Sequence, residues 1–235
     1  MRQVPLFVGN GRLARHLKYY FTLLHLPFFS WHRNKPLALL YEQAKYSSII
    51  LLLINDQAIE SFISKHLLWT KVALIHCSGS LASSKAFGAH PLMTFGEDLY
   101  TEEIYRTIPF IIDDTAPPWH ELFPGLPNTH FRINNSCKAK YHALCVLSGN
   151  FSCMLWQKLF QHFETELNLP ASVAHPFLIR QMQNLLKNYT TSLTGPLMRQ
   201  DKITIAENLR ALAGDPFQTV YQSFVDCYHG LRENS

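Results

Sequence analysis

The sequence predicts an α/β fold: a doubly wound parallel sheet in the N-terminal part, followed by an all-helical C-terminal domain. Three observations predict it. Short apolar runs bounded by turn residues alternate with amphipathic stripes in the first half of the chain. A glycine turn joins the first run to the first stripe. After residue 134 the strand-like runs stop and only helical periodicity remains. The expected domains are therefore residues 1–134 and 135–235.

The elements follow in order. Residues 4–8 form an apolar run that ends at Gly9, as suits a strand buried on both faces. Residues 12–24 read as a helix with Leu13, Leu17, Tyr20, Phe21 and Leu24 on one stripe. A strand over 26–31, a helix over 37–46 and a strongly apolar strand over 48–54 come next. Asp56 is the expected cap of a helix over 57–68, and 72–76 is a fourth strand. Residues 77–96, with Gly79, Gly88, Pro91 and Gly96, read as a loop. Strands over 107–112 and 131–133 flank a proline-rich stretch, 114–128, with room for one short helix. Ser136 is the expected cap of a long helix over 138–166, and helices over 176–193, 203–213 and 217–231 complete the chain. Right-handed crossovers restrict the first part to few topologies.

The totals narrow the function. The chain has 235 residues, 47% of them hydrophobic, enough for a buried core. Its net charge of +4 contains no Lys/Arg run longer than two residues, too diffuse for nucleic acid but suited to anionic ligands. Five cysteines without a CxxC pair read as reduced thiols, and the expected location is the cytoplasm. The N-terminus moves straight into a strand, without the pattern of a signal peptide. The longest apolar run, 49–54, is too short to span a bilayer. Twelve histidines show neither HxH nor HExxH spacing, so no metal site is expected, and no GxSxG elbow points to a hydrolase.

The sharpest motif is Gly9-Asn10-Gly11-Arg12-Leu13-Ala14. The first glycine allows the tight turn, the second lets a pyrophosphate approach the backbone, and Ala14 lets helix and strand pack closely. Gly9, Asn10, Gly11, Arg12 and Leu13 are thus the expected phosphate cradle of a dinucleotide, at a helix N-terminus. About 20 residues on, NAD-binding forms place an acid on the ribose diol. Here the second strand ends in Ser30-Trp31-His32-Arg33-Asn34, with no acid. Arg33 can hold a 2′-phosphate, so the expected cofactor is NADP in its reduced form, NADPH. The plainer reading of Arg33 is a solvated surface side chain.

Four further segments carry a family resemblance. His76-Cys77-Ser78-Gly79-Ser80, His90-Pro91-Leu92-Met93-Thr94-Phe95, Tyr141-His142-Ala143 with Asn150 downstream, and Leu193-Thr194-Gly195-Pro196 running on to Arg199-Gln200-Asp201 resemble signatures of the Rossmann-like, DUF2520-type oxidoreductases. Gln200 stands where that family has glycine, and Asn10 where a small residue is common. The resemblance implies an NADP-binding Rossmann domain related to pyrroline-5-carboxylate reductase and 6-phosphogluconate dehydrogenase. It extends to an alternative class of ketopantoate reductase, which makes 2-dehydropantoate the most specific candidate among small 2-oxo acid substrates. An imine reductase and a non-catalytic NADP-binding sensor are the other readings.

The resemblance also implies roles. Lys138 or His142 is the expected proton donor and Asn150 an orienting hydrogen bonder, at i, i+4 and i+12 of one helix. His142 also reads as a core histidine. His76 and Ser78 are expected beside the cofactor, His90 and Arg199 beside the substrate. Arg199 and Asp201 read equally as an ion pair, and His90-Pro91 as plain loop architecture. The site is expected between the two domains. Apolar stripes with Phe151, Leu155, Phe163, Phe177, Leu185 and Tyr221 predict a homodimer through the C-terminal helices.

Overall fold

In a computed structural model of the chain, which describes residues 4–233, β1 (Leu6–Val8) is wholly buried. Leu6 and Val8 face one apolar cluster and Phe7 the other, as strand alternation dictates. β2 (Phe29–Trp31) and β3 (Ile49–Leu52) pair with β1 on its two sides, Phe7 lying opposite Ser30 and Leu51. β4 (Ala73–His76), β5 (Phe87–Pro91), β6 (Phe110–Asp113) and β7 (His130–Ile133) extend the sheet. Among the described residues its order is β2-β1-β3-β4-β5-β6-β7.

Helices cover both faces. α1 (Arg12–Leu23) buries Leu17, Tyr20 and Phe21 on one face, joined by Tyr105 of α4 (Glu102–Thr107) and by Trp119 and Leu122 of α5 (Trp119–Leu122). On the other face lie Leu40 and Ala44 of α2 (Leu37–Lys45) and Ile59 and Ile63 of α3 (Asp56–His66). This is the doubly wound sheet of a Rossmann-type domain, followed by helices.

Several local expectations change. The pairing of β5 with β6 is antiparallel, so the sheet is mostly rather than wholly parallel. β5 occupies a stretch expected to be loop. Its Gly88 and Pro91 are turn residues by composition, but Gly88 is required because a side chain there would overlap the Lys138 ammonium and the Asp113 carboxylate. The cap of α3 is Asn55, whose side chain accepts from the Gln57 N–H, and not Asp56. Asn134, not Ser136, accepts from the Ser136 N–H and caps a 3₁₀ turn, Asn135–Cys137.

The long helix expected from 138 is interrupted. α6 (Lys138–Cys145) passes into a π-helical stretch, Val146–Phe151, before α7 (Ser152–Thr165). Gly149 weakens the ladder there, and the Ser152 hydroxyl donates to the carbonyls of Ser148 and Gly149 at 2.5 and 3.0 Å. α8 (His175–Lys187) ends early at Asn188, whose side chain takes up the Thr190 N–H. α9 (Pro196–Arg199), α10 (Lys202–Ala211) and α11 (Phe217–Glu233) follow. Gln200 adopts φ +54°, the left-handed conformation for which glycine is the usual residue.

The chain forms two compact units, Met1–Leu155 and Trp156–Ser235, a division later than residue 134. The change in periodicity does mark the end of the sheet, but α6 stays with it, because Lys138 pairs with Asp113 of β6. Within the second unit, Trp156 packs edge-on against Phe177 with ring centroids 5.4 Å apart, and Lys158 pairs with Asp215. Among the described residues no helix is long and apolar enough to cross a membrane.

Candidate functional site

The strand order reverses between β1 and β3: the chain runs out to β2, then crosses back to the other side of β1. In open α/β sheets ligands sit beyond the strand ends at that point. A cavity of about 790 Å³ lies there, lined by the turn from Gly9 to Ala14, by His32, Arg33 and Asn34, and by Ser78.

The turn divides its labour between two glycines. Gly9 has φ +138°, and a side chain on it would run into the Leu53 carbonyl; its N–H donates to the Trp31 carbonyl at 2.8 Å. Gly11 precedes α1 without a side-chain cap, and a Cβ there would meet nothing within 4 Å. The fold therefore needs Gly9, while Gly11 keeps open the space before the uncapped N–H groups of α1. Ala14 is fully buried. Leu13 packs on the core beneath the turn. Lys18 reaches back from α1 to the Gly9 carbonyl at 2.9 Å and the Asn10 side chain at 3.3 Å. Burial, then the nearby charge of Lys35, lowers the Lys18 pKa.

Arg12 is held by the Glu97 carboxylate at 2.7 Å, and Arg15 shares that carboxylate at 3.2 Å. Arg33 is exposed at the cavity rim and makes no ion pair with any described residue. His32 Nδ1 accepts from the Asn34 N–H at 3.4 Å, which shapes the rim. These residues fit a phosphorylated dinucleotide: an open turn, free N–H donors and an unpaired guanidinium.

The wall at the end of β4 is polar. The Ser78 hydroxyl donates to Asp56 at 2.5 Å and accepts from the Leu81 N–H at 3.0 Å. Because Asn55 takes the capping position, the Asp56 carboxylate is left for Ser78. His76 is fully buried behind this wall and does not line the cavity. Its Nδ1 accepts from the Ser78 N–H at 3.2 Å, which puts its proton on Nε2, an atom without a partner among the described residues. Burial, then the charge of Lys138, lowers its pKa to about 4, so the ring is neutral at pH 7. Burial, then Asp56, pushes the neighbouring Cys77 thiol up to about 12, which leaves it inert.

Lys138, one of the two expected proton donors, is engaged in a buried ion pair. Its ammonium is buried and sits 2.7 Å from Asp113 Oδ1, while Asp113 Oδ2 accepts from the Gly88 N–H at 2.6 Å. This triangle ties β5, β6 and α6 together.

The other side chains of α6 reach Gly79, one residue past the cavity wall. A Cβ on Gly79 would lie 2.5 Å from the His142 ring and 3.2 Å from the His90 ring. The two imidazole centroids are 6.1 Å apart. His90 Nδ1 lies 2.8 Å from the Tyr141 hydroxyl. Burial, then His142, then Lys138, lowers the His90 pKa to about 4. Burial and a hydrogen bond to Cys145 raise that of Tyr141.

Asn150 is exposed in the π-helical stretch, and its side chain makes no hydrogen bond to a described residue. Arg199 stands in the second unit, exposed, 3.9 Å from Asp201, whose carboxylate caps α10 by accepting from the Thr204 N–H. Asp113 was not singled out in the sequence, and Asp56, Gly88 and Tyr141 were noted there only as a helix cap, a loop glycine and part of a signature, with no part at the site. A lone Asp after the apolar Phe110-Ile111-Ile112 is the one signal for Asp113; its partner is 25 residues away in sequence.

No curated protein matches the chain in sequence. The fold recurs in BF3122 from Bacteroides fragilis, 19% identical with a TM-score of 0.74 over 97% of this chain and 99% of that one. It recurs in TM1727 from Thermotoga maritima, 23% identical with a TM-score of 0.69 over 98% and 99%. A reductive aminase from Aspergillus terreus, in complex with NADPH and ethyl levulinate, is 14% identical with a TM-score of 0.63 over 99% and 95%. The family model of DUF2520, a domain of unknown function, matches residues 113–227, beginning at the carboxylate that holds Lys138 and leaving the segments around His76 and His90 outside. Residues 113–227 of this chain are therefore similar to the DUF2520 family, and they follow a Rossmann-type sheet.

Proposed function

We propose that the protein is an NADPH-dependent reductase of a small 2-oxo acid, with 2-dehydropantoate as the specific candidate. The observation that carries this reading is the cavity at the strand-order reversal, with its open Gly11, uncapped helix start and unpaired Arg33. Gly9 to Leu13 would hold the pyrophosphate and Arg33 the 2′-phosphate. A bound NADPH supplies a hydride. Ser78, fixed by Asp56, is set to hold a ribose hydroxyl. His142, half-buried against Gly79, is the better proton donor of the two expected, since Lys138 is committed to Asp113. Protonated His142 gives its proton to the product oxygen and recovers one from solvent.

Exposed apolar side chains, among them Phe151, Leu155, Phe177 and Leu185, favour a homodimer through the C-terminal helices. Phe163 and Tyr221 are half-buried and contribute less. The five free thiols suit a reducing, cytoplasmic setting.

A second reading, imine reduction, is favoured by the fold shared with the reductive aminase and with a Plasmodium falciparum pyrroline carboxylate reductase with NADP bound. The test is NADPH oxidation over a panel of 2-oxo acids and cyclic imines. Turnover of 2-dehydropantoate supports the first reading, and turnover of imines alone replaces it with the second. NADPH binding without turnover of either class leaves a sensor.

A further inference from the structure

We propose that the Asn10 side chain is a phosphate-binding group of the cavity, its carboxamide turned by Lys18 so that the NH2 end donates to a phosphate oxygen of the bound dinucleotide. This rests on the NADPH reading above and adds a contact to it.

Lys18 decides which way the amide faces. Its ammonium lies 3.3 Å from Asn10 Oδ1 and 2.9 Å from the Gly9 carbonyl oxygen. An ammonium only donates, so the amide atom that faces it must be the oxygen. Nδ2 is then left over, and it makes no hydrogen bond with a described residue. Asn10 is exposed and lines the cavity together with Gly9, Gly11 and Arg33. The amide thus brings two N–H donors to the wall where Gly11 leaves open space and α1 starts without a side-chain cap.

The charges behind the turn favour an anion in front of it. Lys35 donates to the Ser30 carbonyl at 2.9 Å, on the strand beside the turn. Burial, then repulsion from Lys35, lowers the Lys18 pKa, and neither ammonium has a carboxylate partner among the described residues. Arg12 and Arg15, by contrast, share Glu97. A phosphate beside Asn10 offsets the uncompensated positive charge. An asparagine between the two glycines would crowd that phosphate if its side chain lay free. Held on Lys18, it offers donors instead. Asn10 is thus a binding residue and Lys18 a positioning residue.

Fluorescence titration of the full chain with NADPH reads the contact without turnover. Asn10→Ala should weaken NADPH binding roughly tenfold, as expected for a lost donor to a charged acceptor. Asn10→Asp keeps an acceptor for Lys18 but puts a carboxylate oxygen where Nδ2 stood, and should lose about 10²-fold. The melting temperature of cofactor-free Asn10→Asp should stay at or above the wild-type value, because the carboxylate pairs with Lys18. Lys18→Met should weaken binding about threefold in the wild type and less in Asn10→Ala, since part of its effect passes through Asn10. NADH carries only the diphosphate and adenosine 2′-monophosphate only the 2′-phosphate, so the ligand that shares the Asn10→Ala loss names the phosphate that the amide meets. NADPH affinity unchanged in Asn10→Ala and Asn10→Asp, or tighter in Asn10→Ala, overturns the contact and leaves the NADPH reading intact. Strictly additive losses in the Asn10→Ala, Lys18→Met double variant overturn the part given to Lys18. A wild type that binds none of the three ligands overturns the contact and the NADPH reading together.

Discussion

The turn at Gly9 and the polar triangle at Gly88 both depend on a glycine, and they depend on it for opposite reasons. Gly9 is fixed by its own backbone, at φ +138°, and by a contact with the next strand over. Its neighbours in sequence supply the rest of the motif. Gly88 has no unusual φ; it is glycine because Asp113 and Lys138, 25 and 50 residues away in sequence, place a carboxylate and an ammonium where its Cβ would stand. Constraints of the first kind repeat wherever a chain makes the same turn and so leave a readable motif. Constraints of the second kind belong to one packing and leave none.

The largest expected effect probes the triangle. Lys138→Met should cost about 3–5 kcal/mol in urea denaturation, because it strands the Asp113 carboxylate in the core. Were Lys138 the proton donor instead, the substitution would abolish turnover while the fold kept its stability.

Protons test the same region. Below pH 6.5 the unfolded chain protonates His76, whereas the buried ring resists until about pH 4. Stability should therefore be lost as pH falls from about 6.5 to about 4, by about 3 kcal/mol for this residue, with His90 adding in the same direction. Denaturation curves across that window should be less steep in pH for His76→Gln than for the wild type. Identical slopes would put the loss elsewhere.

At the cavity, Arg33→Ala should weaken NADPH binding by about 1.5–3 kcal/mol and leave NADH binding unchanged. Equal losses in a fluorescence titration of the two cofactors would show that Arg33 does not read the 2′-phosphate. The smallest effect on stability belongs to Gly11→Ala, within about 0.5 kcal/mol, since its Cβ meets nothing. The same substitution should weaken NADPH binding, because the added methyl stands where the phosphates approach. Gly9→Ala should instead lower both stability and binding, which would separate the glycine the fold needs from the one the ligand needs.

The elements were legible to different degrees. β1, α1 and β3 carry continuous apolar runs or stripes and were readable to within a few residues. β5 was not, because Gly88 and Pro91 carry turn chemistry and only the neighbouring strands make them a strand. The break in the helix after Cys145 was hidden as well, since Gly149 and the Ser152 hydroxyl act on the backbone without disturbing the apolar pattern.

By itself the sequence determined the alternation of strands and helices, the end of the sheet near residue 134, and the glycine turn at Gly9 that opens a helix. These follow from local periodicity and from backbone demands that only glycine meets. Tertiary structure alone decided what the side chains do. It buried His76 behind the Ser78 wall, locked Lys138 onto Asp113, and brought Tyr141 to His90 and both histidines to Gly79. The physical reason is that a hydrogen bond or ion pair formed across the sheet depends on which strands become neighbours, and the spacing of residues along the chain does not record that.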